Sequence, residues 1–201
     1  MSLVKTRVIQ MANESSLALF EIQTKLLIDH GIDFVNRRIF INGEINSDTV
    51  NLVNQGLTLL TSNGEAKEPV TIVINSPGGS IYDAWAIVAL LKSASVDINT
   101  ETIGSCMSSA TTVFAAGKKR RASQFTYFLF HQTSVELGNI KQADTKVIYQ
   151  HFSEEEQTYC SFLAENSNKP AKFWRELIKK PIDIYVQAPK LVKTGLVHEI
   201  F

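Results

Sequence analysis

Five consecutive apolar or β-branched residues, Val70-Thr71-Ile72-Val73-Ile74, run straight into Asn75-Ser76-Pro77-Gly78-Gly79-Ser80. A strand that is apolar on both faces has to be covered on both sides, which is the condition of a parallel sheet flanked by helices. The Pro-Gly-Gly turn stops it, and a helix is predicted from about Ile81 to Lys92. The pattern then recurs. Val96, Ile98, Thr100 and Thr102 form a second β-rich run that is expected to stop at Gly104, where a row of small residues begins a helix reaching Gly117. Strands alternating with helices in this way imply an α/β domain with a largely parallel sheet.

The flanking segments fit that frame. Leu17 to Leu27 has the spacing of an amphipathic helix, and residues 1–16 read as a mobile segment or a processed leader ahead of a single domain over 17–201. Arg37 to Ile41 alternates as a strand, and Asn46-Ser47-Asp48 can cap a helix from Thr49 to about Leu60. Tyr127 to Phe130 reads as a strand ending at His131. A long charged helix is predicted over 140–165, a shorter one over 171–179, a short strand at Tyr185-Val186, and helix again from Ala188 to Thr194. The helix over 140–165 is too long and too polar to lie simply on the sheet, and is read as a projecting arm. Its apolar residues Val147, Tyr149, Phe152, Tyr159, Phe162 and Leu163 exceed what such an arm can hide alone, which predicts an interface and a homo-oligomer.

Composition excludes more than it assigns. Formal net charge is zero, with 20 basic and 20 acidic residues, so no electrostatic footprint for nucleic acid or an anionic membrane appears. The one basic run, Lys118-Lys119-Arg120-Arg121, reads as a solvated loop between helix and strand. The two cysteines, Cys106 and Cys160, match no metal spacing. No apolar stretch approaches a membrane span, and none behind Lys5 and Arg7 is long enough for a signal peptide. A cytoplasmic setting with free thiols is the expectation.

Three serines compete at the start of the small-residue helix: Ser105, Ser108 and Ser109. There the first backbone N–H groups lack intrahelical partners, so a nucleophilic hydroxyl would stand beside ready donors for an oxyanion. Plain capping and packing is the competing account, and the segment is not the G-x-S-x-G elbow. Of four histidines, His30, His151 and His198 sit in polar surroundings, whereas His131 closes an apolar strand, at the sheet edge where open α/β folds place functional groups. Asp183, flanked by Ile182 and Ile184, is expected to be paired or functional. Serine, histidine and aspartate in this order can act as nucleophile, base and orienter. Gly78 and Gly79 let the backbone approach a ligand closely. A phosphate cradle is disfavoured, since the segment matches neither Walker A nor G-x-G-x-x-G.

These motifs together resemble the proteolytic subunit of the Clp protease family. Ile74-Asn75-Ser76-Pro77-Gly78-Gly79 resembles its I-N-S-P-G-G signature, and the spacing from Gly79 to Ser108 is that from the family's second loop glycine to its nucleophile. Phe130-His131-Gln132 is similar to the histidine segment, and Asp183 through Ala188-Pro189 to Gly195-Leu196-Val197 to the closing aspartate segment. The resemblance runs from about residue 17 to the end. It implies a crotonase-like, ClpP-like β-α superhelix with a projecting handle helix, and a Ser108–His131–Asp183 triad. It implies an oxyanion hole of the Gly79 and Ser109 N–H groups, and substrate pairing near Gly78, Val135, Leu137 and Gly138. It further implies two stacked seven-membered rings fed with polypeptide by an AAA+ unfoldase that consumes the ATP. The chain itself would need no metal and no cofactor.

Departures from the family pattern carry their own expectations. Ser109 and Ala110 replace methionine and glycine after the nucleophile, which spares a hole made of backbone. Pro181-Ile182 replaces a charged pair used in ring-to-ring contacts. Thr71, Val73 and Ser93 stand where docking-groove aromatics are usual, which predicts altered unfoldase coupling. A catalytically silent ring subunit and a crotonase-type acyl-CoA enzyme are the rival classes. All three triad candidates are present against the first, and no carboxylate beside Gly79 or Gly104 supports the second.

Overall fold

A computed structural model describes residues 3–62, 67–132 and 144–201, with side chains from residue 16 onward. One eight-stranded sheet organises the described residues, with a path β1-β2-β3-β4-β5-β8 and a branch in which β6 pairs with β4 and β7 with β6. Its strands are β1 (Ile32–Asp33), β2 (Arg38–Asn42), β3 (Val70–Ser76), β4 (Ile98–Met107), β5 (Arg120–Ala122), β6 (Tyr127–Phe130), β7 (Ile184–Gln187) and β8 (Glu199–Ile200). Every pairing is parallel except β1 with β2 and β6 with β7. The buried run that opened the sequence is β3, and Val70, Ile72 and Ile74 on it lie in the main core. Helix α2 (Ser47–Thr61) starts where the cap signal placed it, with the Thr49 N–H donating to Asn46 Oδ1 at 3.1 Å. Helix α3 (Ile81–Ser93) crosses from β3 to β4.

The second run departs from expectation in a way that matters for the site. Strand β4 does not stop at Gly104 but continues to Met107. Gly104 is a kink inside it, at φ +66°. Up to Thr102 the strand pairs with β5, and from Ser105 it pairs with β6. The Asn75 Oδ1 atom on β3 accepts from both the N–H and the Oγ of Ser105, at 3.1 and 3.0 Å. A Cβ at residue 104 would lie 2.7 Å from that same oxygen. Glycine therefore marks a change of strand partner, where a bend and a close approach both exclude a side chain.

Helix α1 (Leu3–His30) runs without interruption across the boundary expected at residue 16. Helix α4 (Ala110–Ala115) is buried at every position. Behind it Phe114 meets Phe128 edge-on at 5.2 Å, Phe128 stacks on Phe130, and Phe130 leans on Trp174 of α6 (Ala171–Ile178). This aromatic row fastens β6, and with it His131, to the core. The long helix α5 (Thr145–Glu165) is two things at once. Its C-terminal half packs inside this chain, with Cys160 and Leu163 buried and Phe162 edge-on to Trp85. Val147 and Tyr149 in its other half are 69% and 78% exposed. The arm reading holds for that half. Tyr159, Phe162 and Leu163, expected at an interface, are instead largely satisfied within the chain. Helix α7 (Ala188–Leu191) and a 3-10 turn (Val192–Thr194) lead into β8.

The basic run divides: Lys118 and Lys119 form an exposed loop between α4 and β5, as expected, whereas Arg120 and Arg121 belong to β5. Arg120 is buried on β5 and donates to four carbonyl oxygens, those of Leu196, Gly117, Asn166 and Gly195, at 2.7 to 2.9 Å. Lys118 pairs with Asp97, Lys119 with Glu199, and Arg121 with Glu101 and Glu199. Arg120 staples the C-terminal segment to the sheet, because a charged donor set can satisfy carbonyls that would otherwise be buried unpaired.

Candidate active site

Ser108 sits on the turn between β4 and α4 with φ +52°, a conformation that non-glycine residues adopt rarely and only where surroundings impose it. The surroundings are specific. The Ser108 N–H donates to the Leu129 carbonyl at 3.0 Å, and the Ser108 carbonyl accepts from the Thr111 N–H and Oγ at 2.9 and 2.6 Å. Thr111 Oγ1 in turn shares a short hydrogen bond with the Tyr159 hydroxyl of α5. Burial there pushes the Tyr159 phenol far above its ordinary range. Ser109, 4% exposed, follows as the N-cap residue of α4. The Ser105 hydroxyl is bonded to Asn75 at the kink, and of the three serines it is the Ser108 hydroxyl that is bonded to His131.

The β3–α3 turn closes on the same point. The Gly78 N–H donates to Ser76 Oγ at 3.1 Å, and Gly78 and Gly79 have φ +95° and +149°. A Cβ on Gly78 would lie 2.7 Å from Ser108 Cβ, so the loop backbone lies directly against the serine. Gly79 is pinned from behind by a bridge to Ile45, whose carbonyl accepts from the Ser80 N–H at 2.8 Å. The N–H groups of Gly79 and Ser109 take no partner among the described residues.

His131 Nε2 and Ser108 Oγ are hydrogen-bonded at 2.7 Å. On the far side of the ring, His131 Nδ1 stands 4.0 Å from Asp183 Oδ1, close enough for an ion pair and too long for a hydrogen bond. The backbone explains the meeting of residues so far apart in the chain. Strands β6 and β7 pair antiparallel with Phe130 opposite Ile184, so the next step of the ladder sets His131 opposite Asp183. The Asp183 side chain is 56% exposed. Asp183, expected to be paired or functional, stands at the surface facing His131, and Ile182 is 64% exposed as well, where the chain bends before β7 begins.

Ser108, His131, Asp183, Gly78, Gly79 and Ser109 therefore converge. Val135, Leu137 and Gly138 lie outside the described residues. Sequence reasoning missed Asn75 and Tyr159, which hold the kink and the turn. Asn75 stood within the quoted turn motif, whereas nothing in sequence joined Tyr159 to Thr111. Among the described residues no group of His, Cys, Asp and Glu could hold a metal ion. No helix there is long and apolar enough to cross a membrane.

A serine and a histidine hydrogen-bonded at the carboxyl edge of a parallel sheet have the build of a serine hydrolase on an α/β frame. The chain belongs to the Clp protease family, whose model matches residues 29–201. Its structure is similar to that of a mutant ClpP1 from Listeria monocytogenes, with a TM-score of 0.75 and 22% identity over 84% of this chain and 92% of that one. That likeness carries the fold, and it is the mixed α/β ClpP fold that the resemblance implied.

Proposed function

We propose that this chain is a serine endopeptidase forming the proteolytic chamber of a Clp-type protease. The observation that carries the reading is the 2.7 Å hydrogen bond between Ser108 Oγ and His131 Nε2 on a turn held at positive φ. His131 accepts the Ser108 proton as Oγ attacks a peptide carbonyl. The N–H groups of Gly79 and Ser109 receive the developing oxyanion. His131 then gives its proton to the leaving amine, and water, deprotonated by the same ring, releases the acid from the acyl-enzyme. Asp183 keeps the Nδ1 proton facing it and so holds the useful tautomer. Unfolded polypeptide, extended beside Gly78, is the substrate; an AAA+ unfoldase spends the ATP. The protein acts in the cytoplasm as stacked heptameric rings, with Val147 and Tyr149 at a subunit contact. The gap between His131 and Asp183 favours a second reading, a silent ring subunit.

The test is fluorophosphonate labelling followed by peptide mapping. Labelling is expected at Ser108, kept in Ser105→Ala and lost in Ser108→Ala. Labelling that survives Ser108→Ala, or is absent from the native protein, sinks the peptidase reading. A native mass measurement that finds a monomer sinks the ring.

A further inference from the structure

Beside Ser108 and His131 opens a cleft of about 300 Å3. Its flanks are apolar: Ile81, Phe152 and Ile178. Its polar lining is unusual. Ser109 Oγ and Thr112 Oγ1 are buried there without a hydrogen-bond partner, on residues 4% and 0% exposed. Glu155 Oε2 is also buried and unpartnered, and Glu156 lines the same wall. Among the described residues no Lys or Arg lines the cleft, and neither glutamate enters an ion pair.

We infer that this cleft is a specificity pocket for a lysine or arginine side chain on the acyl side of the bond to be cut. An aliphatic stem lies along the apolar flanks while the charged head reaches the oxygens. A guanidinium or ammonium brings only donors, and the cleft offers carboxylate and hydroxyl acceptors. A leucine in the same place would leave all three buried oxygens dry and unpaired, which is the costly outcome. Burial already holds the Glu155 carboxyl above its ordinary range, with nearby His151 pulling it back only in part. An incoming cation adds the favourable charge that the site lacks.

This inference rests on Ser108 being the nucleophile, and the experiment separates the two. Peptide aldehydes that differ only in a terminal arginine, lysine or leucine compete with a fluorophosphonate for the native protein. Matched fluorogenic peptides are hydrolysed in parallel. The basic members are expected to win by about tenfold or more, and Glu155→Gln or Glu156→Gln should shrink that ratio at least severalfold. If Ser108 labels and leucine competes or reacts as well as arginine, the pocket assignment is wrong while the peptidase reading stands. An unchanged ratio in both variants overturns it equally. Absence of any labelling at Ser108 removes both.

Discussion

The turn that carries Ser108 and the segment that carries Asp183 are held in different ways. Around Ser108 each constraint comes from the core: a strand carbonyl behind its N–H, Thr111 and Tyr159 beneath it, glycine backbone against its Cβ, and the fully buried helix α4 after it. Asp183 has the ladder between β6 and β7 to set its height and little to set its side chain, which remains 56% exposed. Folding of this chain alone thus fixes Ser108 against His131, while the Asp183 carboxylate is placed in register and left free to turn. Over-determined geometry can hold a strained φ; an exposed side chain with rotamer freedom cannot be relied on for a fixed angle.

The largest expected effect tests that difference directly. Ser108→Ala should lower kcat for a short peptide by about a millionfold. Asp183→Asn should cost about a thousandfold, below the roughly ten-thousandfold that a hydrogen-bonded triad aspartate commands. Comparable losses in the two variants, measured at saturating peptide, would mean that the 4.0 Å gap closes in the working enzyme and that the contrast is one of the resting chain only.

Next comes stability. Arg120→Met removes the donors to four carbonyls that tie β5 to the C-terminal segment and to the end of α5. Leaving those acceptors unpaired should lower unfolding free energy by about 2–4 kcal/mol in urea. Burial has already drawn the Arg120 pKa down to about 10, so its charge survives but at a cost. Because the staple lies away from the turn, Ser108 labelling per folded molecule should be unchanged; a specific loss of labelling would show the two regions to be coupled. A smaller change, about 1 kcal/mol, is expected for Tyr159→Phe, which deletes the hydroxyl bonded to Thr111 while leaving Thr111 on the Ser108 carbonyl. If stability is unaltered there, the tyrosine is not part of what fixes the turn.

How much of this could be read beforehand follows the same divide. The β3 run, the Asn46 cap and the strand ending at His131 depend on neighbours within a few residues, and sequence pattern captures those. Gly104 was expected to end a strand because glycine does so locally. Its role as a kink depends on Asn75 of the neighbouring strand, and on strands changing partners. Arg120 was expected in solvent because four basic residues in a row look solvated. The carbonyls that bury it come from as far as 76 residues away. Asp183 was expected to be paired or functional, but the side chain it faces, His131 at the end of β6, is its neighbour in space and not in sequence. Ser108, His131 and Asp183, which the structure brings together, each stood in a quoted motif. Their distances were not legible there, since register between β6 and β7 is a long-range choice.

The smallest prediction concerns pH and separates the site from the staple. His198 faces two donors of Arg120: its Nδ1 accepts from the backbone N–H at 3.2 Å, and its Nε2 lies 2.6 Å from the guanidinium. A neutral ring can accept at only one nitrogen, and a protonated ring at neither. Burial, with the charges of Arg120 and Lys119 added, therefore lowers the His198 pKa below its ordinary value near 6.5. The unfolded chain then binds the proton more readily than the folded one. Stability from this group is complete above pH of about 6.5 and declines as pH falls below it toward the lowered folded value. Peptide hydrolysis gives the second readout, because the staple lies away from the Ser108 turn. His198→Gln deletes the titration at the staple and leaves the Ser108–His131 hydrogen bond untouched. Urea midpoints compared between about pH 7.5 and about pH 5.5, either side of the ordinary histidine range, should draw together in the variant, while the acid limb of peptide hydrolysis stays where it was. A midpoint difference as large as in the native protein would assign the acid sensitivity of the fold to some other group, and a shifted acid limb would show that the loss of activity was unfolding all along.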